Sequence, residues 1–213
     1  MFSDKNYVPL DRRAAIDASD GMNRSVIIEE AKCELLGNEG GKYSLVGEMV
    51  VDSDADSMYN MLTDYYASPR IFSTVDSVET DTLEDGRLLV KQTCRWKFLV
   101  FGGSFPCQLA VKEEPSARYM EVELHKKGFI REFEGSWRVT EEPTGGVRVK
   151  HTLALRPALT PPYAHKIFLR QIGEILEDVQ NEVESWEGAR YPAQGNDLTQ
   201  DVPISPIPVP AAR

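Results

Sequence analysis

The sequence predicts an α+β fold in which a curved antiparallel β-sheet wraps around one long helix near the C-terminus. Three observations predict it. From Ser73 to Leu155 apolar and polar residues alternate over consecutive short segments separated by turn-forming pairs, the pattern of a meander with one buried face. From about Tyr163 to Trp186 the apolar residues recur at helical spacing instead, and no comparable stripe occurs elsewhere. Between an early strand and the meander lies a pair of short helices, too short for a bundle core.

Each element follows from local chemistry. Ser25–Leu36 reads as a strand, Gly37–Gly41 as a turn and Tyr43–Val51 as a second strand, so the chain enters by a hairpin. Asp52 or Ser53 caps the next helix, and Asp54 and Asp56 suit its positive end. Met58, Leu62 and Tyr65 or Tyr66 make its apolar face, and Pro69 opens the second short helix. The meander then runs Ser73–Thr82, Arg87–Phe101 with a turn at Gly102-Gly103, and a strand carrying Phe105, Cys107, Leu109 and Val111 on one face. After Pro115-Ser116 come Met120, Val122 and Leu124, and after Lys127-Gly128 an alternation of Phe129, Arg131, Phe133, Gly135, Trp137 and Val139. Pro143–Gly146 leads into Val147, Val149, His151, Leu153 and Leu155. In the closing helix Phe168, Ile172, Ile175 or Leu176, Val179, Val183 and Trp186 form the stripe, with Glu174, Glu177, Asp178, Glu182 and Glu184 on the wet side. The domain is expected over residues 25–188, with a flexible arm over 1–24 and a Pro-rich tail, containing ISPIPVP, over 189–213.

Composition removes several functions. A length of 213 residues with 41% hydrophobic residues supports one domain with a sizeable core. A net charge of −10 repels nucleic acid and anionic membrane on average, and the basic pairs Arg95/Lys97 and Lys126/Lys127 read as a solvated strand face and a hairpin tip. Three cysteines without a C-x-x-C exclude a disulfide scaffold and a zinc ribbon and suit a reducing compartment. No apolar run approaches the roughly 20 residues of a membrane span. G-x-S-x-G, H-E-x-x-H and G-x-G-x-x-G are absent, and Tyr43 stands where a P-loop needs Ser or Thr. His125, His151 and His165 fall on three different elements, and Glu132/Glu134 face outward, so no metal, cofactor or catalytic residue is expected.

Polar side chains on inward strand faces are the sharpest signal. Alternation places Gln92, Arg131 and His151 with Val90, Phe133 and Leu153. A buried polar group needs a partner, which is either a ligand head group or another protein group, with Arg131 alternatively at a rim near Gly128. Tyr59, Trp96 and Trp137 serve either packing or ligand stacking. The expected cavity is lined by Trp96, Leu109, Val122, Phe133, Trp137, His151 and Leu153, faced by Phe168 and Ile172 of the helix, with its entrance near Tyr65–Phe72.

Leu62-Thr63-Asp64-Tyr65 with Pro69, the FEGSWRV strand over Phe133–Val139, LALRP over Leu153–Pro157 and the closing helix together resemble the START-like (SRPBCC) superfamily. Its polyketide cyclase/dehydrase and lipid-transport members carry this order, and the chain is similar to the plastid and cyanobacterial variety and to coenzyme Q-binding relatives. The resemblance spans Ser25–Trp186 and implies a helix-grip fold around an apolar cavity. It implies binding or transport of a hydrophobic small molecule: a lipid, isoprenoid quinone or pigment-like ligand. It also leaves open a cyclase/aromatase in which His151 or Arg131 assists proton transfer, and an assembly subunit with a vestigial cavity. It implies a soluble protein of the plastid stroma, or alternatively the cytoplasm, with transient membrane or protein-complex contact. The oxygenase subgroup needs an iron site that the scattered histidines do not supply.

Overall fold

The strands run Lys32–Glu39 (β1), Lys42–Val51 (β2), Val75–Thr82 (β3), Leu88–Phe98 (β4), Phe101–Glu114 (β5), Tyr119–Lys126 (β6), Ile130–Glu141 (β7) and Val147–Pro157 (β8). The helices are Ala55–Thr63 (α1), Ser68–Ile71 (α2) and Ala164–Glu184 (α3), with a 3₁₀ turn over Tyr65–Ala67 between the first two. The computed structural model describes residues 31–98, 101–160, 162–186 and 190–191, and of 96–98 and 101 the backbone alone. The Trp96 side chain, the expected N-terminal arm and the Pro-rich tail beyond residue 191 lie outside the described residues.

All eight strands join one antiparallel sheet in the order β1-β2-β8-β7-β6-β5-β4-β3. The chain leaves β2, crosses to the far edge through α1 and α2, and fills the sheet back towards β2 one hairpin at a time. That excursion carries the short helices over one end of the sheet, and α3 returns across β1 and β2. The arrangement is the expected α+β helix-grip architecture. Among the described residues no helix is long and apolar enough to cross a membrane.

Several boundaries differ from expectation, each for a local reason. Gly37-Asn38-Glu39 stays in β1, past a bulge between Leu35 and Gly37, and the turn falls on Gly40-Gly41. Both glycines have φ in the left-handed region, +56° and +82°, where a Cβ is costly. The N-cap of α1 is Asp54, not Asp52 or Ser53: its carboxylate accepts from the Ser57 N–H at 2.8 Å. Gly102-Gly103 lies inside β5 opposite Lys97 and Trp96, and the chain reverses between Phe98 and Phe101, which pair with each other.

The core divides into two clusters. Met58, Met61, Leu62, Val149, Leu176 and Val179 pack where the short helices meet the C-terminal half of α3. Tyr43, Leu45, Leu153, Leu155, Phe168 and Ile172 pack beneath its N-terminal half. Burying each large aliphatic side chain contributes roughly 1.5–3 kcal/mol. Gly47 of β2 permits the helix to approach: a Cβ there would meet Leu176 Cδ1 at 2.8 Å and Ile172 Cγ1 at 3.1 Å. Phe133 touches both clusters and marks the seam between them.

Candidate functional site: an apolar cavity under the short helices

A cavity of about 150 Å³ opens between the inner face of the sheet, α2 and α3. Eight of the expected residues line it: Tyr65 and Phe72 from the short-helix segment, Gln92 of β4, Leu109 of β5, Val122 of β6, Phe133 and Trp137 of β7, and His151 of β8. Strand alternation delivers them, since β4 to β8 each turn one face towards α3.

Five expected residues lie elsewhere. Arg131 is exposed, because a bulge between Ile130 and Glu132 breaks the alternation at the start of β7 and turns it out of the interior. Leu153, Phe168 and Ile172 are buried in the second cluster, where α3 sits directly on the sheet over Gly47 and leaves no space. Phe168 instead packs its ring on Tyr43, at 5.1 Å between centroids. Tyr59 is buried and its hydroxyl donates to the Tyr119 carbonyl at 3.3 Å, fastening α1 to β6.

Residues not anticipated complete the wall: Ser68, Thr74, Val75, Met120, Ile175 and Gly135 among them. Gly135 matters most. It occupies an inward position between Phe133 and Trp137, and its missing side chain leaves the space beside them. A Cβ there meets Phe133 Cε1 at an ordinary 3.4 Å. A glycine at an inward position of a strand is the sequence signal for such a gap.

The interior polar groups are few and most are committed. His151 is buried, lies flat on Trp137 with ring centroids 4.0 Å apart and planes 14° apart, and meets the Ser136 carbonyl through Nδ1 at 3.0 Å. Burial pulls its pKa down to about 4 against the opposing hydrogen bond, so the ring is neutral at pH 7. Gln92 Nε2 donates to Cys94 Sγ at 3.1 Å. The Tyr65 hydroxyl donates to Glu113 Oε1 at 2.6 Å, and burial, reinforced by that carboxylate, pushes its pKa up. Cys107 sits beside Cys94, and that hydrogen bond together with burial pushes its thiol up.

Over the cavity the short-helix segment is held to α3 by two carboxylates. Glu182, expected on the wet side, is buried and accepts from both terminal guanidinium nitrogens of Arg70 at 2.6 and 2.9 Å and from the Trp186 indole N–H at 3.1 Å. Burial raises its pKa, but these hydrogen bonds outweigh burial and hold the carboxyl below its usual value. One turn earlier, Asp178 Oδ2 accepts from the Ser73 N–H and hydroxyl, each at 2.8 Å. Asp64 of the Leu62–Pro69 segment accepts from the Ala67 N–H at 3.1 Å and from the Tyr191 hydroxyl at 2.8 Å. The outward acids Glu132 and Glu134 pair with Arg156 and Lys42, and Arg95 pairs with Asp76.

Residues 51–180 match the family model described as polyketide cyclase / dehydrase and lipid transport. The chain belongs to that family. Solved structures of the same fold include a START superfamily protein from Mycobacterium smegmatis, 15% identical with a TM-score of 0.55, covering 68% of this chain and 98% of that one. They include a STAR-related lipid transfer protein from Xanthomonas axonopodis, 16% identical with a TM-score of 0.55, covering 72% and 93%. They also include an aromatase/cyclase from Streptomyces, 18% identical with a TM-score of 0.53, covering 67% and 94%. At these identities the likeness is one of fold. No curated protein matches the chain in sequence. The family implies binding of a hydrophobic ligand or cyclase-type chemistry, and solved structures of both kinds share this fold.

Proposed function

We propose that the protein binds and carries a hydrophobic small molecule in the cavity beneath α2, without chemical conversion. The observation that carries this reading is the wall itself: apolar side chains from the sheet and from the helices surround one buried, neutral imidazole. Such a site gains affinity from apolar burial, at roughly 25 cal/mol per Å², and orientation from one polar contact.

The cavity volume is about half of the roughly 300 Å³ at which ordinary ligand pockets begin. A single ring with a short substituent fits the space as it stands. A lipid, isoprenoid quinone or pigment would extend past the short helices, which would then have to move aside. The cyclase/aromatase reading fares less well. A general base works best with a pKa near the working pH, and His151 lies well below neutrality. Arg131 is exposed and is not part of the cavity wall.

Delivery would use the end of the sheet where β6 turns into β7, with Phe129 packed on Phe105 of β5. Phe129, Leu159 and Tyr163 are exposed there on two loops joined by the Ala158 N–H to Phe129 carbonyl bond, with Lys126 and Lys127 beside them. A plastid-stroma location rests on the resemblance of the Leu62–Pro69 segment, and the free thiols of Cys33, Cys94 and Cys107 suit such a reducing compartment.

Isothermal titration calorimetry with propylbenzene, a single ring with a short chain that matches the space, tests the reading. The wild-type chain should bind it, and Gly135→Val, which fills the gap between Phe133 and Trp137, should remain folded and bind about tenfold more weakly, equivalent to about 1.4 kcal/mol. Equal affinity in the two folded proteins would place the probe elsewhere and remove the basis for the proposal.

A further inference from the structure

We infer that the cavity selects ring-sized apolar ligands that donate a hydrogen bond, phenols above all, over ethers or hydrocarbons of the same shape, because His151 presents a lone pair to them. The inference rests on the binding reading above and adds the chemistry of the ligand.

Ser136 fixes the tautomer of His151. Its carbonyl oxygen can only accept, so His151 Nδ1, 3.0 Å away, must carry the proton. The ring is buried, and the influences on its charge are burial and that one carbonyl, with no carboxylate to hold a second proton. A singly protonated imidazole bearing its hydrogen on Nδ1 has a lone pair on Nε2. Among the described residues no group donates to Nε2. Trp137 covers one face of the ring at 4.0 Å, so a partner must come to the ring's edge, and the space that the ring borders is the cavity.

The rest of the wall discriminates less. Gln92 gives one of its two amide hydrogens to Cys94 and keeps the other together with its carbonyl oxygen, so it can serve either role. Tyr65 spends its hydroxyl hydrogen on Glu113. Ser68 and Thr74 have hydroxyls that turn to either role and do not discriminate. The Trp137 indole is the wall's pure donor, so an ether or carbonyl oxygen could be held there. Holding it there would leave His151 Nε2 without the hydrogen bond that a phenol supplies, and that missing bond makes the difference. The volume of about 150 Å³ limits the part that enters to one ring and a short chain. An aromatic alcohol satisfies size, apolarity and hydrogen bonding together.

Isothermal titration calorimetry of the full chain with para-propylphenol, para-propylanisole and propylbenzene decides the matter. The phenol should bind about tenfold tighter than either analogue, the difference expected for one hydrogen bond to a buried acceptor. His151→Leu should erase that preference while keeping propylbenzene binding. Should His151→Leu fail to fold, nitrogen NMR of wild-type imidazoles serves instead. The His151 Nε2 resonance should move from its unprotonated position towards that of a hydrogen-bonded nitrogen with the phenol and not with the anisole. Equal affinity for all three ligands, a preference that survives His151→Leu, or an unmoved Nε2 resonance overturns the inference while the binding reading stands. Absence of binding by all three overturns both.

Discussion

Burial of His151 beneath Trp137 links the chemistry of the cavity to the stability of the protein in acid. The folded pKa is about 4 and the ordinary value is 6.5. Above pH 6.5 the residue is neutral in both states, and the benefit of burying it is present in full. As pH falls from 6.5 towards 4 the unfolded chain takes up a proton that the folded chain refuses, so stability falls with pH. The whole effect is roughly 3 kcal/mol. The carboxylates that the fold holds low, such as Glu182, begin to matter only near the ordinary value of 4.5, at the bottom of this window. Urea unfolding at pH 7 and pH 5 should show the loss in the wild type and not in His151→Phe. A wild type equally stable at both pH values would mean that the ring is not buried neutral. At this scale strand period read the interior well but not completely. It put His151, Gln92 and Trp137 in the wall. It misplaced Arg131, because a one-residue bulge resets the alternation and nothing in the residues around Ile130 announces one.

The short-helix segment and α3 show what elements do to each other. Arg70 and Glu182 lie 112 residues apart in sequence and meet in a forked ion pair that closes α2 onto α3. Glu182 was expected on the wet side, since helical periodicity marks a charged residue as outward unless a partner arrives from another element. Glu182→Ala should strand the guanidinium and the Trp186 N–H and destabilise the protein by about 1–2 kcal/mol, a figure tempered by the exposure of Arg70. More tellingly, it should loosen the cover. Hydrogen exchange at the Phe72 amide, which bonds the Ser68 carbonyl, should quicken relative to the amides of β8. Unchanged exchange in α2 would show that Asp178 and the apolar contacts hold the segment without Glu182. The helix stripe itself was legible, and Ile172, Leu176 and Val179 are wholly buried as its spacing implied. The place where α3 presses closest was not, because it depends on the absence of a side chain at Gly47.

For the molecule as a whole, net charge and surface chemistry point in different directions. An average of −10 disfavours anionic surfaces, yet Phe129, Leu159 and Tyr163 expose apolar area next to Lys126 and Lys127, and Lys166 lies 5.6 Å from the Tyr163 ring centroid. If ligand is delivered at this end, the protein should co-sediment with vesicles containing anionic lipid, less so at high salt. Leu159→Asp should weaken that association without altering the fold. Equal pelleting of wild type and Leu159→Asp would exclude the patch as the contact.

The sequence by itself determined the fold class, the order of the elements and, except at the bulged start of β7, the strand faces that turn inward, because period-two and period-3.6 patterns are properties of the local backbone. It could also assign the family, from the Leu62–Pro69 segment, the FEGSWRV strand and the closing helix in that order. Only the tertiary structure decided which inward residues border space and which are packed solid. Leu153, Phe168 and Ile172 share the period of the cavity residues but lie where α3 sits directly on the sheet. Phe133, Trp137 and His151 lie where α3 diverges and Gly135 leaves a gap. A cavity is a difference in distance between elements: an inward glycine such as Gly135 marks where a side chain is missing, but the separation of α3 from the sheet is set by long-range contacts that no local pattern encodes.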